Sequence, residues 1–444
     1  MVTTQQTILR NLGNGLIMRC ATPEDAHALC EFNANIHGGD DENERKGVAA
    51  WTRDLLTRPH ATFQPVDFLI VEETSTRRIV SAMCLIPQTW SYEGIEFGVG
   101  RPELVGTLPE FRVRGLIRTQ FEQVHKWSAE RGLMVQVITG IRYYYRQFGY
   151  EYALNLNRWH MGSIVPKLKN GEQEKYTIRP AQESDIPFLM SVYEFGTSRG
   201  MVRVKWTAEH WRNNLYELSE ENIHRLEYRI VERAGSQEPV GYFAQSPTLG
   251  STGARAFHYE LGPGISWLEV TPCVIRYMWD TGQEYGKKEN RPCTTYSFLL
   301  GAEHPAYDTL GNSVVTGGQP YAWYVRVPDL VGFLDHIKPA LEKRLADSIA
   351  CGHSGEYLIG MYPKGARLIL ENGRIRFEPW KPDHADQGNA GFPMLTFLQI
   401  LFGYRSFEEL KYAFPDCWWS DESTRLLVNI LFPKKNSSLY YGIV

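Results

Sequence analysis

The spacing of apolar residues changes several times along the chain, and each change predicts an element. Leu16-Ile17-Met18-Arg19 reads as a short strand, and Ala21-Thr22-Pro23-Glu24-Asp25 reads as a helix start. Thr22 suits the N-cap, Pro23 the first turn, and the two acids the positive end of the helix. Ala26, Leu29, Cys30 and Phe32 then recur at helical spacing. Two strands separated by a polar turn follow, Phe68–Glu73 and Ile79–Met83.

The same order returns later. Tyr176–Pro180 is strand-like, and Gln182-Glu183-Ser184-Asp185-Ile186-Pro187 opens a helix that continues through Phe188, Leu189, Val192 and Tyr193. A second pair of strands lies at Tyr228–Arg233 and Val240–Phe243. Both copies end on an aromatic-to-glycine signature, Tyr145-Arg146-Gln147-Phe148-Gly149 and Tyr307-Asp308-Thr309-Leu310-Gly311. The ordered matches predict a tandem duplication of one α/β unit. The polar stretch from Val165 to Lys175 reads as the linker.

A third region is expected from about Tyr324. Leu330, Phe333, Leu334, Ile337, Leu341 and Leu345 form one helical face. Strands are expected at Tyr357–Met361, Ala366–Glu371 and Ile375–Glu378, with Asn372-Gly373 as a tight hairpin turn. Helices are expected at Pro393–Phe402 and Ser406–Ala413, the latter opened by a Ser406/Glu409 capping box.

Composition narrows the class. The 444 residues are 43% hydrophobic and 22% charged, with a net charge of −4. That suits a globular protein of several domains and gives no sign of nucleic-acid binding. Seven cysteines, with no C-x-x-C pair, argue against a disulfide framework or a zinc site and for reduced thiols in a cytoplasm. No signal peptide or membrane span is expected.

The chemistry concentrates between Glu103 and Tyr150. A strand enters the turn Arg112-Val113-Arg114-Gly115-Leu116-Ile117, and a helix follows with Ile117, Phe121, Val124 and Trp127 on its inner face. Bare N–H groups at a helix start attract a phosphate chain, Gly115 leaves room for it, and Arg112, Arg114 and Arg118 add charge. A strand at Met134–Ile138 then leads to Thr139-Gly140-Ile141-Arg142-Tyr143-Tyr144-Tyr145. The second copy, Ser266–Arg276, lacks the arginine–glycine turn; Pro272 is expected to start its helix, and Glu269 would repel phosphate.

The order P-x-x-R-x-R-G-L, helix, strand, Y-x-x-F-G-Y resembles the GNAT acetyltransferase superfamily, and within it the enhanced-intracellular-survival (Eis) branch. The large aliphatic Ile117, where other GNAT turns carry Gly or Ala, fits that branch. The resemblance implies a mixed α/β protein with two tandem GNAT-like domains and a C-terminal sterol-carrier-protein-like domain. The corresponding divisions are 1–160 (catalytic), 161–323 (degenerate) and 324–444. It implies acetyl-CoA as co-substrate and no metal. Val105, Gly106 and Thr107 would pair with its pantetheine arm, and Val113, Arg114, Gly115, Leu116, Ile117 and Arg118 would hold its pyrophosphate. Gly140 and Ile141 would lie near the acetyl end. Tyr145 falls on the general-acid tyrosine, and the Val444 carboxylate on the general base. A small-molecule amine is the implied acceptor: an aminoglycoside, a polyamine or a lysine amine. A homo-oligomer, often hexameric, is the implied assembly, with no membrane partner. A non-catalytic protein binding acyl-CoA or lipid through the third region is the alternative, and a longer acyl donor is another. The acceptor site is expected in the region from Asn33 to Arg58: its acidic stretch from His37 to Glu44 could attract a polyamine-like substrate but reads rather as a solvated face, and Trp51 could stack on a substrate but reads rather as packing for its helix.

Overall fold

A computed structural model describes residues 8–156, 158–318, 321–437 and 439. In the first stretch the elements run β1 (Ile8–Gly13), β2 (Leu16–Cys20), α1 (Ala26–His37), α2 (Glu42–Thr57), β3 (Phe68–Glu73), β4 (Arg78–Tyr92), β5 (Ile95–Thr107), α3 (Leu116–Glu130), β6 (Val135–Ile138) and β7 (Glu151–Asn155). The second stretch holds β8 (Trp159–Gly162), β9 (Tyr176–Pro180), α4 (Ile186–Thr197), β10 (Val202–Val204), α5 (Ala208–Arg212), β11 (Glu227–Arg233), β12 (Pro239–Gln245), β13 (Gly253–Leu261), α6 (Trp267–Glu289), β14 (Thr295–Phe298), α7 (Pro305–Leu310) and β15 (Val314–Gly317). The third holds β16 (Ala322–Arg326), α8 (Leu330–His336), α9 (Lys338–Ala346), β17 (Gly355–Met361), β18 (Lys364–Glu371), β19 (Arg374–Trp380), β20 (Ala390–Gly391), α10 (Phe397–Leu401), α11 (Phe407–Ala413), β21 (Trp418–Trp419) and α12 (Glu422–Leu431).

The strands form three sheets, ordered β1-β2-β3-β4-β5-β6-β16-β7 with β10 against β4, then β15-β8-β14-β13-β12-β11-β9, then β19-β18-β17-β20-β21. The fold is mixed α/β, and the first two sheets share a plan. Each is antiparallel until one parallel pair, β5 with β6 and β13 with β14, bridged by the long helices α3 and α6. Parallel neighbours need a crossover, and a helix supplies it.

Sheet membership departs from chain order in two places. Strand β16, which falls where the third region is expected to start, lies between β6 and β7 of the first sheet, pairing Tyr324 with Ile138 and with Tyr152. Strand β10, from the second stretch, extends the first sheet along the far half of β4. One core joins all three stretches, with Ile186, Trp211 and Tyr228 of the second in the same cluster as Tyr92, Phe333 and Phe402; the last three pack edge-on or stacked, and the Tyr92 hydroxyl donates to the Leu401 carbonyl at 2.8 Å. Such mutual burial makes the stretches interdependent for stability.

Two local expectations change. The helical face from Leu330 to Leu345 is split into α8 and α9 at Ile337, where Pro339 cannot continue the helix. The helix of the second copy starts at Trp267, after Ser266, so Pro272 lies within α6. The Asn372-Gly373 turn and the Ser406/Glu409 box form as expected. Among the described residues no helix is long and apolar enough to cross a membrane.

Candidate active site

The site is a gap between two parallel strands. β5 pairs with β4 along nearly its whole length, but with β6 only at Val99–Val135 and Gly100–Gln136. Beyond Gly100 the two strands part. A bulge in β5 accentuates the splay: the register shifts between Ala82 and Cys84, and Leu104 takes a φ of +52°. Val105, Gly106 and Thr107 follow the bulge and line a cleft of about 980 Å³. Gly106 permits the close approach of α1, since a Cβ there would lie 2.7 Å from Ile36 Cγ2.

The turn after β5 is backbone-strained in the sense a phosphate cradle requires. Val113 and Gly115 both have positive φ, +63° and +77°. Gly115 caps α3, and no atom lies within 4 Å of where its Cβ would be. Leu116, Ile117 and Arg118 therefore begin the helix with their N–H groups toward the cleft end, where the helix dipole favours an anion. α3 is pinned behind them. Ser81 donates to Gln120 Oε1 at 2.6 Å, and Gln120 Nε2 donates to the Leu69 carbonyl at 3.1 Å. Arg112 and Arg118 line the cleft; Arg112 Nε donates to the Thr107 carbonyl and Arg118 Nη2 to Gln147 Oε1. Arg114 differs from expectation in its side chain. It folds over the Phe111 ring and donates to the Glu110 carbonyl at 2.9 Å, so only its backbone faces the turn.

The opposite wall is built by the end of β6. Gly140 has φ +121°, and a Cβ on it would meet the Tyr145 hydroxyl at 3.2 Å. Tyr145 is buried in a short 3₁₀ turn among Phe121, Tyr144, Tyr150 and Tyr324. Burial, with a contribution from Glu103, pushes its phenol well above the ordinary value, so it stays protonated. Strand β16 braces this turn: the Tyr143 N–H donates to the Tyr324 hydroxyl at 2.9 Å. Gly140, Ile141 and Tyr145 all line the same cleft as Val105–Thr107 and the turn. Val444 lies outside the described residues.

The structure also brings to this cleft residues of the Asn33–Arg58 region, and one carboxylate that the sequence reading gave no role. Ile36 and His37 of α1, Val48 and Trp51 of α2, and Glu103 of β5 line the cleft. Arg101 donates through Nε and Nη2 to Glu103 Oε1 at 2.8 and 2.6 Å. Its own guanidinium lies over the Trp323 ring. Desolvation lowers the His37 pKa, opposed by Glu103 and a hydrogen bond to the Leu104 backbone.

The corresponding positions of the second stretch are differently engaged. Tyr307, the counterpart of Tyr145 by signature, accepts from the Leu300 N–H at 2.9 Å and donates to the Gly301 carbonyl at 3.3 Å. Its hydroxyl is occupied by backbone. Where the first copy has its arginine–glycine turn, Glu269 instead pairs with Lys175 and accepts from the Tyr176 hydroxyl.

Residues 19–153 match a family model described as "Acetyltransferase (GNAT) domain". This stretch is thus similar to a GNAT acetyltransferase domain. The match spans the splayed strands, the turn and Tyr145. Likeness of fold to solved structures extends beyond it. A GCN5-related N-acetyltransferase from Anabaena variabilis superposes with a TM-score of 0.66 at 12% identity, over 96% of this chain and 99% of that one. One from Kribbella flavida gives 0.63 at 14%, over 96% and 98%. Eis1 from Mycobacterium abscessus gives 0.59 at 14%, over 96% and 99%. At such identities the likeness is one of fold, from end to end. No curated protein matches the sequence.

Proposed function

We propose that this protein is an N-acetyltransferase that uses acetyl-CoA as co-substrate and a primary amine as acceptor. The observation that carries it is the convergence on one cleft of a splayed strand edge, a glycine-capped helix start and a buried, protonated tyrosine. A pyrophosphate fits the turn because Gly115 is open and positive in φ, with Arg112 and Arg118 alongside. Val105–Thr107 offer an unpaired strand edge to an amide-bearing arm.

The thioester supplies an activated acetyl group. The neutral amine nitrogen attacks its carbonyl carbon, a C–N bond forms, and the C–S bond breaks. Tyr145 delivers its hydroxyl proton to the departing sulfur. The proton leaving nitrogen goes to the Val444 carboxylate in this reading. The path of the tail supports it. Val202 N–H donates to Ser437 Oγ, and Trp323 Nε1 donates to the Leu439 carbonyl at 3.3 Å. Trp323 in turn carries Arg101, the partner of Glu103.

The domain organisation proposed with this function is a catalytic unit to about residue 160, a degenerate copy to 323 and a sterol-carrier-like third unit, with strands β10 and β16 exchanged between them. The test is thiol release from acetyl-CoA with a panel of amines, together with calorimetric binding of CoA. No binding and no release above hydrolysis would remove the proposal.

A further inference from the structure

The turn that carries Tyr145 is held at its strained point by a distant segment. Tyr143 has a φ of +62°, in the left-handed region that side-chain-bearing residues rarely adopt. Its own side chain is 75% exposed, so packing does little to keep it there. The turn's own backbone bonds on either side of it are long. The Tyr144 N–H reaches the Ile141 carbonyl, and the Arg146 N–H the Tyr143 carbonyl, both at 3.3 Å. The shorter bond comes from outside the turn, where the Tyr143 N–H donates to the Tyr324 hydroxyl at 2.9 Å. Tyr324 is buried and fixed in β16 by its pairing with Ile138 and Tyr152. Its ring packs edge-on against that of Tyr145.

The second stretch supplies a contrast. There His160 of β8 lies opposite Phe298, the last residue of β14, as Tyr324 lies opposite Ile138, the last residue of β6. His160 stacks on the Tyr307 ring at 3.6 Å. Two positions before Tyr307 stands Pro305, which has no N–H to donate. The equivalent brace is therefore impossible at Tyr307, whose hydroxyl is engaged by the Leu300 and Gly301 backbone.

We infer that Tyr324 is a positioning residue for acetyl transfer: by accepting from the Tyr143 N–H, its hydroxyl holds the turn in the conformation that keeps Tyr145 at the cleft. The inference rests on the acetyl-transfer reading. Backbone strain persists only where the surroundings over-determine it. Without this acceptor Tyr143 leaves the left-handed region, and Tyr145, two residues on, loses its line to the departing sulfur. The strand edge at Val105–Thr107 and the turn at Gly115 belong to other elements and keep their grip on the cofactor.

The experiment uses the full chain with Tyr324→Phe, which removes one oxygen and keeps the ring. Thiol release from acetyl-CoA is followed with kanamycin, spermine and 2-phenylethylamine, alongside calorimetric CoA binding and amide hydrogen exchange at Tyr143. We expect kcat to fall about tenfold or more, as for a small misplacement of a reacting group. CoA affinity stays unchanged, and the Tyr143 amide exchanges faster. In a Tyr145→Phe background the same substitution should bring no further loss of kcat. Tyr143→Asn, a residue that tolerates the left-handed region, should restore part of the rate lost in Tyr324→Phe. Circular dichroism checks that each variant folds. An unchanged kcat, unchanged exchange at Tyr143, or an equal loss in the Tyr145→Phe background overturns the positioning role and leaves acetyl transfer standing. A wild type that neither binds CoA nor releases thiol with these amines overturns both.

Discussion

The indole N–H of Trp323 donates to the carbonyl of Leu439 at 3.3 Å, both residues being almost wholly buried. A strand of the first sheet thus fixes the last described residue of the chain, and the same indole carries the guanidinium that binds Glu103. The tail and the floor of the cleft share one support.

Deleting residues 440–444 tests what that support is for. If the tail delivers the proton acceptor, kcat falls by about a hundredfold, within the range for loss of a general base. The KM for acetyl-CoA stays put, because the turn at Gly115 is untouched. Steady-state kinetics with a fixed amine reads both values.

Tyr145→Phe removes one hydroxyl and keeps the packing against Phe121, Tyr150 and Tyr324. We expect kcat to fall about a hundredfold or more with CoA affinity unchanged. The sign of the pH effect follows from burial, which raises this phenol above its ordinary value of 10. The wild type therefore shows no loss of activity from tyrosine ionisation below pH 10. Its contribution to stability, full below pH 10, is lost only as the pH rises above it. A kcat–pH profile from 6 to 10 checks the first point.

Gly115→Ala places a side chain at φ +77°. The left-handed backbone costs a non-glycine residue about 1–2 kcal/mol. The turn relaxes away from that conformation, and CoA binding weakens by about tenfold, measured by calorimetry. Arg118→Ala should reduce both the affinity and its dependence on salt.

How much of this was legible follows from how local each signal is. The turn at Gly115 is read from six adjacent residues, and its helix pattern continues immediately, so the sequence suffices. The Asn372-Gly373 hairpin and the Ser406/Glu409 cap are local in the same sense. Trp51 looks like any inward-facing helix residue. What makes it a cleft wall is the packing of α1 on α2 and a ring 173 positions away, His224. The segment at Tyr324 reads only as the start of a third region; that it is strand β16, with Ile138 and Tyr152 as neighbours, is set by tertiary pairing that no local pattern encodes. Arg114 carries the right charge in the right turn, yet the Phe111 face and the Glu110 carbonyl draw its side chain away.

Acid should unfold the protein through buried imidazoles. Burial lowers the pKa of His125, which shares a 2.9 Å hydrogen bond with the Tyr150 hydroxyl, to about 3, and that of His224 also to about 3, from 6.5. Both are neutral in the folded state at pH 5, whereas the unfolded chain protonates near 6.5. Their contribution to stability is present above pH 6.5 and is lost as the pH falls toward 3. Each imidazole contributes a slope of up to ~1.4 kcal/mol per pH unit in that window. Urea titrations at pH 7, 5.5 and 4 should show it, and His125→Asn should reduce the slope while leaving the share of the other buried imidazoles, His258 among them.

Asp54 joins the two GNAT-like units. Its Oδ2 accepts from the Ser219 N–H at 2.9 Å, the Ser219 hydroxyl at 2.8 Å and Asn222 Nδ2 at 2.7 Å. The residue is buried on α2, one turn beyond Trp51. Asp54→Ala strands three donors and should cost about 2–4 kcal/mol, since a buried donor without an acceptor carries its full desolvation penalty. The kinetic consequence separates this clamp from a purely structural contact. Loss of the segment holding α2 lets the Trp51 wall move, so the KM for the amine rises several-fold. The CoA turn is anchored through Gln120 to Ser81 and Leu69, away from α2, and the KM for acetyl-CoA holds. Equal rises in both constants would show that Asp54 merely stabilises the fold, and that the stretch holding Ser219 and Asn222 has no part in shaping the acceptor site.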